Sequence, residues 1–535
     1  MQAESYVLTK QSPILSPGIA FAEVNQRGTA LRSSLERIAE LLGVRQNTSW
    51  GQSGDEGTQR EDIMPNHRLP AISASVVLGD QHPLLTEVSL QVTTRTGGVM
   101  RKCLLGLVCF SLSLGWSSVA RSDVVTDWNA NAGKPASVGC NIQPHESRMY
   151  AMMHIAIHDA LNAIERRFQP YILDLPETPG ASVEAAVATA ARDVLVPVLG
   201  QLPLDLFEAC IPAAIDGVEA DYTAALNAIA DGTSKAQGIV IGRAAAAEVL
   251  ALRIADGSDT PVLDFNYPDG TEPGEYRSPP GFPPNFAGTP GWGNVTPFVL
   301  KDSAQFRPGP PDDVTSKKYT ADFDEVKRRG VKEGSTRTPE ETQIAYFWLG
   351  SSPLQWNRIA RTVSAASGLN QWENARLFAL LNMALADGYV GSWETKYHYN
   401  FWRPQTAIQF AATDGNPDTI ADPDWEPLDP TPPLPDYDSA HSVEGGAAAE
   451  VLQRVFETDK INFSTCSLSL PLPEEQCAGA EEVLRSYSSF SQAADENGLS
   501  RILVGYHFRK AVEEGIRHGR KVGKRAVEHF LKPIK

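Results

Sequence analysis

Apolar side chains recur at helical spacing along most of this chain. Between 148 and 164, Met149, Met152, Met153, Ala156, Ile157, Ala160, Leu161 and Ile164 follow the i, i+3, i+4 pattern of a helix that buries one face. Alanine- and valine-rich stretches at 182–200, 213–229 and 234–254 continue the theme. Proline and glycine then dominate 278–311, in runs such as Ser-Pro-Pro-Gly-Phe-Pro-Pro. Because that stretch also carries Trp and Phe, which favour burial, it reads as a long ordered loop and not as a linker. Helical spacing returns at 318–330, 339–350, 356–367 and 370–396, and a second Pro/Asp-rich loop spans 414–438. Further helices are expected at 441–456, 478–491 and 498–531. Strand-like alternation of β-branched residues is almost absent, and no internal sequence repeat is visible. The pattern predicts an all-α, bundle-type fold with long Pro/Gly-rich loops.

The segment at 100–120 breaks this pattern. Met100-Arg101-Lys102 is basic, an apolar run follows to about Trp116, and Ser118-Val119-Ala120 gives a small-x-small exit. That is the layout of a secretory signal peptide, and the run is too short to span a bilayer. The expectation is that Met100 is the true start and that 1–99 is a non-native upstream extension, largely disordered, with a helix-like stretch only near 31–42. The exported protein is then 121–535, periplasmic or secreted and without a stable membrane anchor. It divides into an N-terminal bundle and loop (121–311) and a C-terminal bundle (312–535).

Charge and cysteines narrow the partners. A net charge of -18 argues against nucleic acid, whose backbone demands a basic face. Of six cysteines, Cys103 and Cys109 leave with the signal. Cys140, Cys210, Cys466 and Cys477 remain and suit disulfides in an oxidising compartment. Cys466 and Cys477 flank a Pro/Ser-rich loop and are the expected pair. His154 and His158 stand four apart with Asp159 adjacent, a spacing that can hold a metal. The residue after His154 is Ile155, not the Glu of an HExxH motif, so packing is the favoured reading.

Three blocks carry chemistry: Lys396-x6-Arg403-Pro404, Ser439-Ala440-His441 and Ser500-Arg501-x5-His507. Together they supply three cations, a hydroxyl and two imidazoles. That set holds a tetrahedral oxyanion such as phosphate or vanadate and offers a nitrogen to bond it. If 396–403 stays helical, Lys396 and Arg403 are about two turns apart and share a side. Arg501 and His507, six apart, are expected on one helix face. Ser439 and His441 sit where a Pro-rich loop enters a helix, so the Ser439 hydroxyl and the first backbone N–H groups form an anion-binding corner.

The order and spacing of these blocks resemble the shared signature of vanadium-dependent haloperoxidases and the type-2 phosphatidic acid phosphatase superfamily. Ser392-Trp393-Glu394-Thr395-Lys396-Tyr397-His398-Tyr399-Asn400-Phe401-Trp402-Arg403-Pro404 and Ser500-Arg501-Ile502-Leu503-Val504-Gly505-Tyr506-His507 are similar to the site segments of bacterial and fungal haloperoxidases. Gln305-Phe306-Arg307-Pro308-Gly309-Pro310-Pro311 is similar to a stretch of secreted bacterial members. The resemblance implies two fused helical bundles and a vanadate cofactor bonded to His507. It implies that Lys396, Arg403, Ser439, Ala440 (through its N–H) and Arg501 hold the oxyanion, with His441 as acid/base and Lys396 polarising peroxide. Hydrogen peroxide, halide and a small organic acceptor are the implied substrates. The alternatives are an acid phosphatase working through a phosphohistidine and a non-enzymatic secreted helical protein. Three departures stand out. The usual Pro-Ser-Gly-His block reads Asp438-Ser439-Ala440-His441, which sets a negative charge beside an anion site. The acid often found four residues after the metal-binding histidine is Ala511, so a carbonyl, Glu513 or Glu514 is expected to orient the imidazole. Leu434 stands where an aromatic or His is usual, leaving Trp393 and Leu434 as walls of the halide pocket.

Overall fold

The computed structural model describes residues 123–534, apart from Val138, Asn141 and 468–483. The expectations for 1–99, for 100–120 and for Cys477 fall outside the described residues. The fold is all-α. In the first half, α1 (Val124–Asn131) is capped by the Asp123 carboxylate and α2 (Gln143–Asn162) is buried along nearly its whole length. Then come α3 (Val183–Gly200), α4 (Ile211–Asn227) and α5 (Thr233–Leu252). After the long loop follow α6 (Lys317–Arg329), α7 (Pro339–Phe347), α8 (Ser352–Ser367), α9 (Gln371–Tyr399) and α10 (Pro404–Phe410). The last three are α11 (Ala440–Val455), α12 (Phe490–Leu503) and α13 (Arg509–His529). Start signals are explicit in the sequence: Ser182, Ser316 and Ser351 cap their helices, and Thr338/Glu341 and Asn370/Glu373 form capping boxes.

Two helices, α2 and α9, pack against each other among the described residues. On α2, Asp159 accepts hydrogen bonds from the successive N–H groups of Tyr171, Ile172 and Leu173 at 2.7, 2.8 and 2.9 Å. On α9, Asp387 does the same for Phe298, Val299 and Leu300 at 2.6, 2.7 and 2.7 Å. In both, one carboxylate oxygen takes the first N–H and the other takes the next two. A buried carboxylate on a central helix therefore clasps the following or preceding loop, a structural repeat that leaves no sequence repeat to see. The clasp on Asp387, with Trp292 and Phe286 buried nearby in sequence, is why 278–311 is ordered despite its prolines.

His154 and His158 belong to this packing. His154 Nε2 is 2.8 Å from Asn129 Nδ2 and its ring stacks on Phe378; His158 Nδ1 is 3.0 Å from Asp159 Oδ1. Among the described residues, no group of His, Cys, Asp or Glu is arranged to hold a metal ion.

Two expectations need correction. Residues 484–487 of the expected 478–491 helix form a strand: β3 (Phe463–Cys466) pairs antiparallel with β4 (Leu484–Tyr487), beside the shorter β1 (Leu263–Asp264) and β2 (Ala287–Gly288) pair. The 498–531 helix is two helices, because Gly505 adopts φ 89° and turns the chain between α12 and α13. The expectation of disulfides is met at Cys140, which is bonded to Cys210, and Cys466 is also disulfide-bonded.

α11 and α13 pack backbone to backbone. A Cβ on Gly446 would lie 2.3 Å from the Ile516 carbonyl, and one on Gly519 would lie 1.9 Å from that of Val443. This contact fixes the start of α11 against α13, and Ser439 N–H donates to the Ala511 carbonyl at 3.1 Å. Among the described residues, no helix is long and apolar enough to cross a membrane.

Candidate active site

The end of α9, the start of α10, the loop into α11 and the turn between α12 and α13 meet around one cavity of about 350 Å3. Trp393, Lys396, Arg403, Leu434, Ala440, His441, Arg501 and His507 all line it. Ser439 is the exception among the expected residues. It is fully buried at the N-cap of α11, where its Oγ accepts from Ser442 Oγ at 2.9 Å, and is not among the lining residues. The N-terminal half also contributes walls, through Ile142–Pro144 and Val262–Leu263.

Lys396 and Arg403 do not meet by sharing a helix face. α9 ends at Tyr399 because Asn400 takes the left-handed conformation (φ 49°), and Pro404 keeps Arg403 extended (ψ 156°) at the start of α10. The chain reversal brings both to the cavity. Arg501 and His507 likewise sit on either side of the Gly505 turn and not on one helix.

The cations are buried and held by carbonyls. Lys396 Nζ donates to the Pro435 and Asp436 carbonyls at 3.0 and 2.9 Å. Arg403 Nε donates to the Leu434 carbonyl at 2.6 Å and Nη1 to that of Tyr506 at 2.9 Å. Arg501 Nη2 donates to the Trp348 carbonyl at 2.7 Å. Burial, and then the neighbouring Arg403, pushes the Lys396 ammonium well below its ordinary range. Burial lowers Arg403, and brings Arg501 down to about 10. An anion in the cavity would act against each of these shifts, since an opposite charge favours the protonated cation.

His507 shows its tautomer. Its Nε2 lies 3.0 Å from Arg403 Nη1, a group that can only donate, so Nε2 carries the lone pair. Its Nδ1 lies 2.8 Å from Asp436 Oδ1 and therefore carries the proton. Desolvation first, then Arg403 and Lys396, holds His507 well below the usual imidazole range, so the ring is neutral. Asp436 is the functional residue that motif reading missed, and it takes the orienting role expected of Glu513 or Glu514. Glu514 instead pairs with Lys510 and Arg517. The available signal was an acid inside an otherwise Pro-rich loop, three residues before Ser439.

His441 is half-buried at the first turn of α11, and its Nε2–H reaches the Gly350 carbonyl at 3.3 Å, leaving the lone pair on Nδ1. Burial and then Arg501 depress its pKa, so it too is neutral. Asp438 is not among the lining residues. Its carboxylate accepts from Ser392 Oγ at 2.8 Å and faces His518 Nδ1 at 2.8 Å, fully buried.

The residues present fit an oxyanion cofactor of the vanadate type. Three buried cations outnumber Asp436 and Asp429, the carboxylates that among the described residues bond to the lining groups His507 and Tyr506, and a neutral imidazole presents its lone pair among the cations. That donor set matches a small anion able to accept a nitrogen ligand.

Comparison with known proteins agrees with this geometry. Residues 376–535 match the family model of the VCPO second helical-bundle domain. The chain is similar to the vanadium chloroperoxidase of Curvularia inaequalis, 26% identical over 279 residues, which are 41% of this chain and 45% of that protein. The chain thus spans about half the length of that curated relative. Among solved structures, one described as the first bacterial vanadium-dependent iodoperoxidase superposes with a TM-score of 0.59 at 25% identity, over 77% of this chain and 97% of that one. An apo-type bacterial vanadium-dependent chloroperoxidase shares the fold at TM-score 0.57 and 16% identity, over 72% of this chain and 94% of that one.

Proposed function

We propose that this chain, which belongs to the vanadium-dependent haloperoxidase family, oxidises a halide with hydrogen peroxide to hypohalous acid and so serves the halogenation of a small organic acceptor. The observation that carries the reading is the neutral His507 ring, held by Asp436 so that its Nε2 lone pair lies among three buried cations. When bound, vanadate supplies the Lewis acidity that activates peroxide.

The protein's own groups do the rest. Arg403, Arg501 and Lys396 offset the negative charge of the oxyanion in a site shielded from water, where such charges act strongly. His507 supplies the nitrogen ligand, and the Ala440 N–H at the start of α11 points a donor at the anion. Ser439 supports this corner from behind, through its contact with Ser442. His441, neutral and open to the cavity, takes the peroxide proton on Nδ1 and returns it to the departing water. Lys396 polarises the peroxide, and Trp393 and Leu434 wall the place where halide approaches. The signal-like layout of 100–120 supports a periplasmic or secreted enzyme.

The test is an assay of purified full chain with orthovanadate, peroxide and each halide, set against a phosphomonoester assay without vanadate. Halogenation in the first and no hydrolysis in the second is the expected result. Phosphomonoester hydrolysis without halogenation would reassign the site to a phosphatase in which His507 is the nucleophile.

A further inference from the structure

His507 lies in the short connection 504–508 between α12 and α13, and α6 braces that connection at both ends. On the α12 side, Gly330 at the C-cap of α6 meets the glycine of the turn. A Cβ on Gly330 would lie 2.6 Å from the Cα of Gly505, and one on Gly505 would lie 2.8 Å from the Gly330 carbonyl. On the α13 side, Asp322 Oδ2 accepts from the Lys510 N–H at 2.7 Å, and Glu325 accepts from Arg509 Nε and Nη2, both at 2.6 Å. The Tyr319 ring stands 5.3 Å from that of Phe508 and 6.2 Å from that of Phe401, two residues before Arg403. α6 therefore backs both of the segments whose tips, Arg403 Nη1 and His507 Nε2, are 3.0 Å apart in the cavity.

The Asp322 contact does what the local chain cannot. The first N–H groups of a helix have no intrahelical partner, and Phe508 at the N-cap of α13 offers no side-chain acceptor. A carboxylate from a neighbouring helix takes that place, at the helix end where negative charge is favoured. It fixes the backbone three residues beyond His507, so a shift of the α13 start would move the imidazole against Asp436 and Arg403. We propose that Asp322 is a positioning residue for the oxyanion site: by capping α13 from α6 it holds the His507 ring where Nδ1 meets Asp436 and Nε2 faces Arg403. The inference rests on His507 being the nitrogen ligand of the oxyanion, and it assigns a role to a residue that is not among those lining the cavity.

The test compares the full chain with its Asp322→Ala, Asp322→Asn and Asp322→Glu variants. In equilibrium dialysis, Asp322→Ala is expected to weaken orthovanadate binding by about tenfold, as loss of an outer partner of a ligating histidine does. Asp322→Asn keeps an oxygen for the Lys510 N–H and should restore most of that affinity. Asp322→Glu keeps the charge but displaces the carboxylate by one methylene; it should behave as Asp322→Ala does, and serves in its place if that chain does not fold. A variant that loses stability but binds orthovanadate as the parent does overturns the proposal. The vanadate-free protein gives a reading that does not depend on the cofactor. With the histidine nitrogens isotope-labelled for NMR and the His507 signals assigned through His507→Ala, the parent should show one tautomer, protonated on Nδ1. Asp322→Ala should mix the two tautomers, and Asp322→Asn should recover the single one. That pattern in a parent that binds no orthovanadate supports the brace and sinks only the cofactor reading. A His507 signal unchanged in Asp322→Ala overturns the brace.

Discussion

Oδ1 of Asp436 stands 2.8 Å from Nδ1 of His507, and this contact decides which ring nitrogen faces the cations. The same residue's carbonyl accepts from Lys396 at 2.9 Å, and its N–H donates to the Phe401 carbonyl at 2.8 Å. One loop residue therefore sets the orientation of two site groups. Asp436→Ala should weaken vanadate binding by roughly 10- to 100-fold, the usual effect of removing the partner that orients a metal-bound histidine. Asp436→Asn keeps an acceptor for Nδ1–H and should lose less. Equilibrium dialysis with orthovanadate measures both, and an Ala variant with parental affinity would remove Asp436 from the site.

The two histidines should separate cleanly. His507→Ala is expected to abolish vanadate retention, because it removes the nitrogen whose lone pair faces Arg403. His441→Ala should leave vanadate bound, held by three cations, and slow turnover by something like 10²–10⁴-fold as lost acid/base catalysis does. Dialysis alongside bromination rates decides it, and the reverse pattern would exchange the two roles.

Much of this was legible along the chain, and the misses share a cause. α9 and α11 announce themselves through long apolar periodicity and, for α9, the Asn370/Glu373 box. The site blocks were legible because chemistry constrains residue type at each position. Chain reversals were not. Periodicity runs unbroken across Gly505, so one left-handed glycine that splits 498–531 leaves no trace in the apolar pattern. At Asn400 a left-handed cap ends α9, so the condition under which Lys396 and Arg403 would share a helix side is not met. Asp436 escaped because its long-range contact with His507 is set by tertiary packing, which local spacing does not encode.

Asp387 offers a test of the loop clasp. It satisfies three consecutive buried N–H groups, and Asp387→Ala leaves them without that partner. Each buried donor left unpaired costs about 1–3 kcal/mol, so a total loss of at least ~3 kcal/mol is expected. Urea denaturation of the variant against the parent provides the measurement; a loss below ~1 kcal/mol would mean that the 298–300 loop is held by other contacts.

Glu146 sets a pH dependence of stability. Burial raises its carboxyl from 4.5 to about 8, while Ser351 Oγ donates to it at 2.5 Å. The folded pKa lies above the unfolded one, so the stabilising contribution is complete below 4.5 and is lost as pH rises through about 8. Within that window each pH unit weakens the fold by up to about 1.4 kcal/mol from this group. Glu146→Gln keeps an acceptor for Ser351 and never ionises. Its melting temperature should match the parent at pH 4 and exceed it by several degrees at pH 9. An equal alkaline decline in both would exclude Glu146 as a source.

Folding itself presses Lys396, Arg403 and Arg501 together, since they arrive from separate stretches of chain and share one buried cavity. The native state is built against that repulsion, and a captured oxyanion relieves it. An oxyanion at a hundred times its dissociation constant adds about 2.7 kcal/mol to the folded form by mass action. On the proposed reading, phosphate, of similar shape and charge, would compete for the same cations and stabilise the fold in the same way. On that reading the stability of the fold would depend on the supply of small oxyanions around it, independently of whether any turnover occurs.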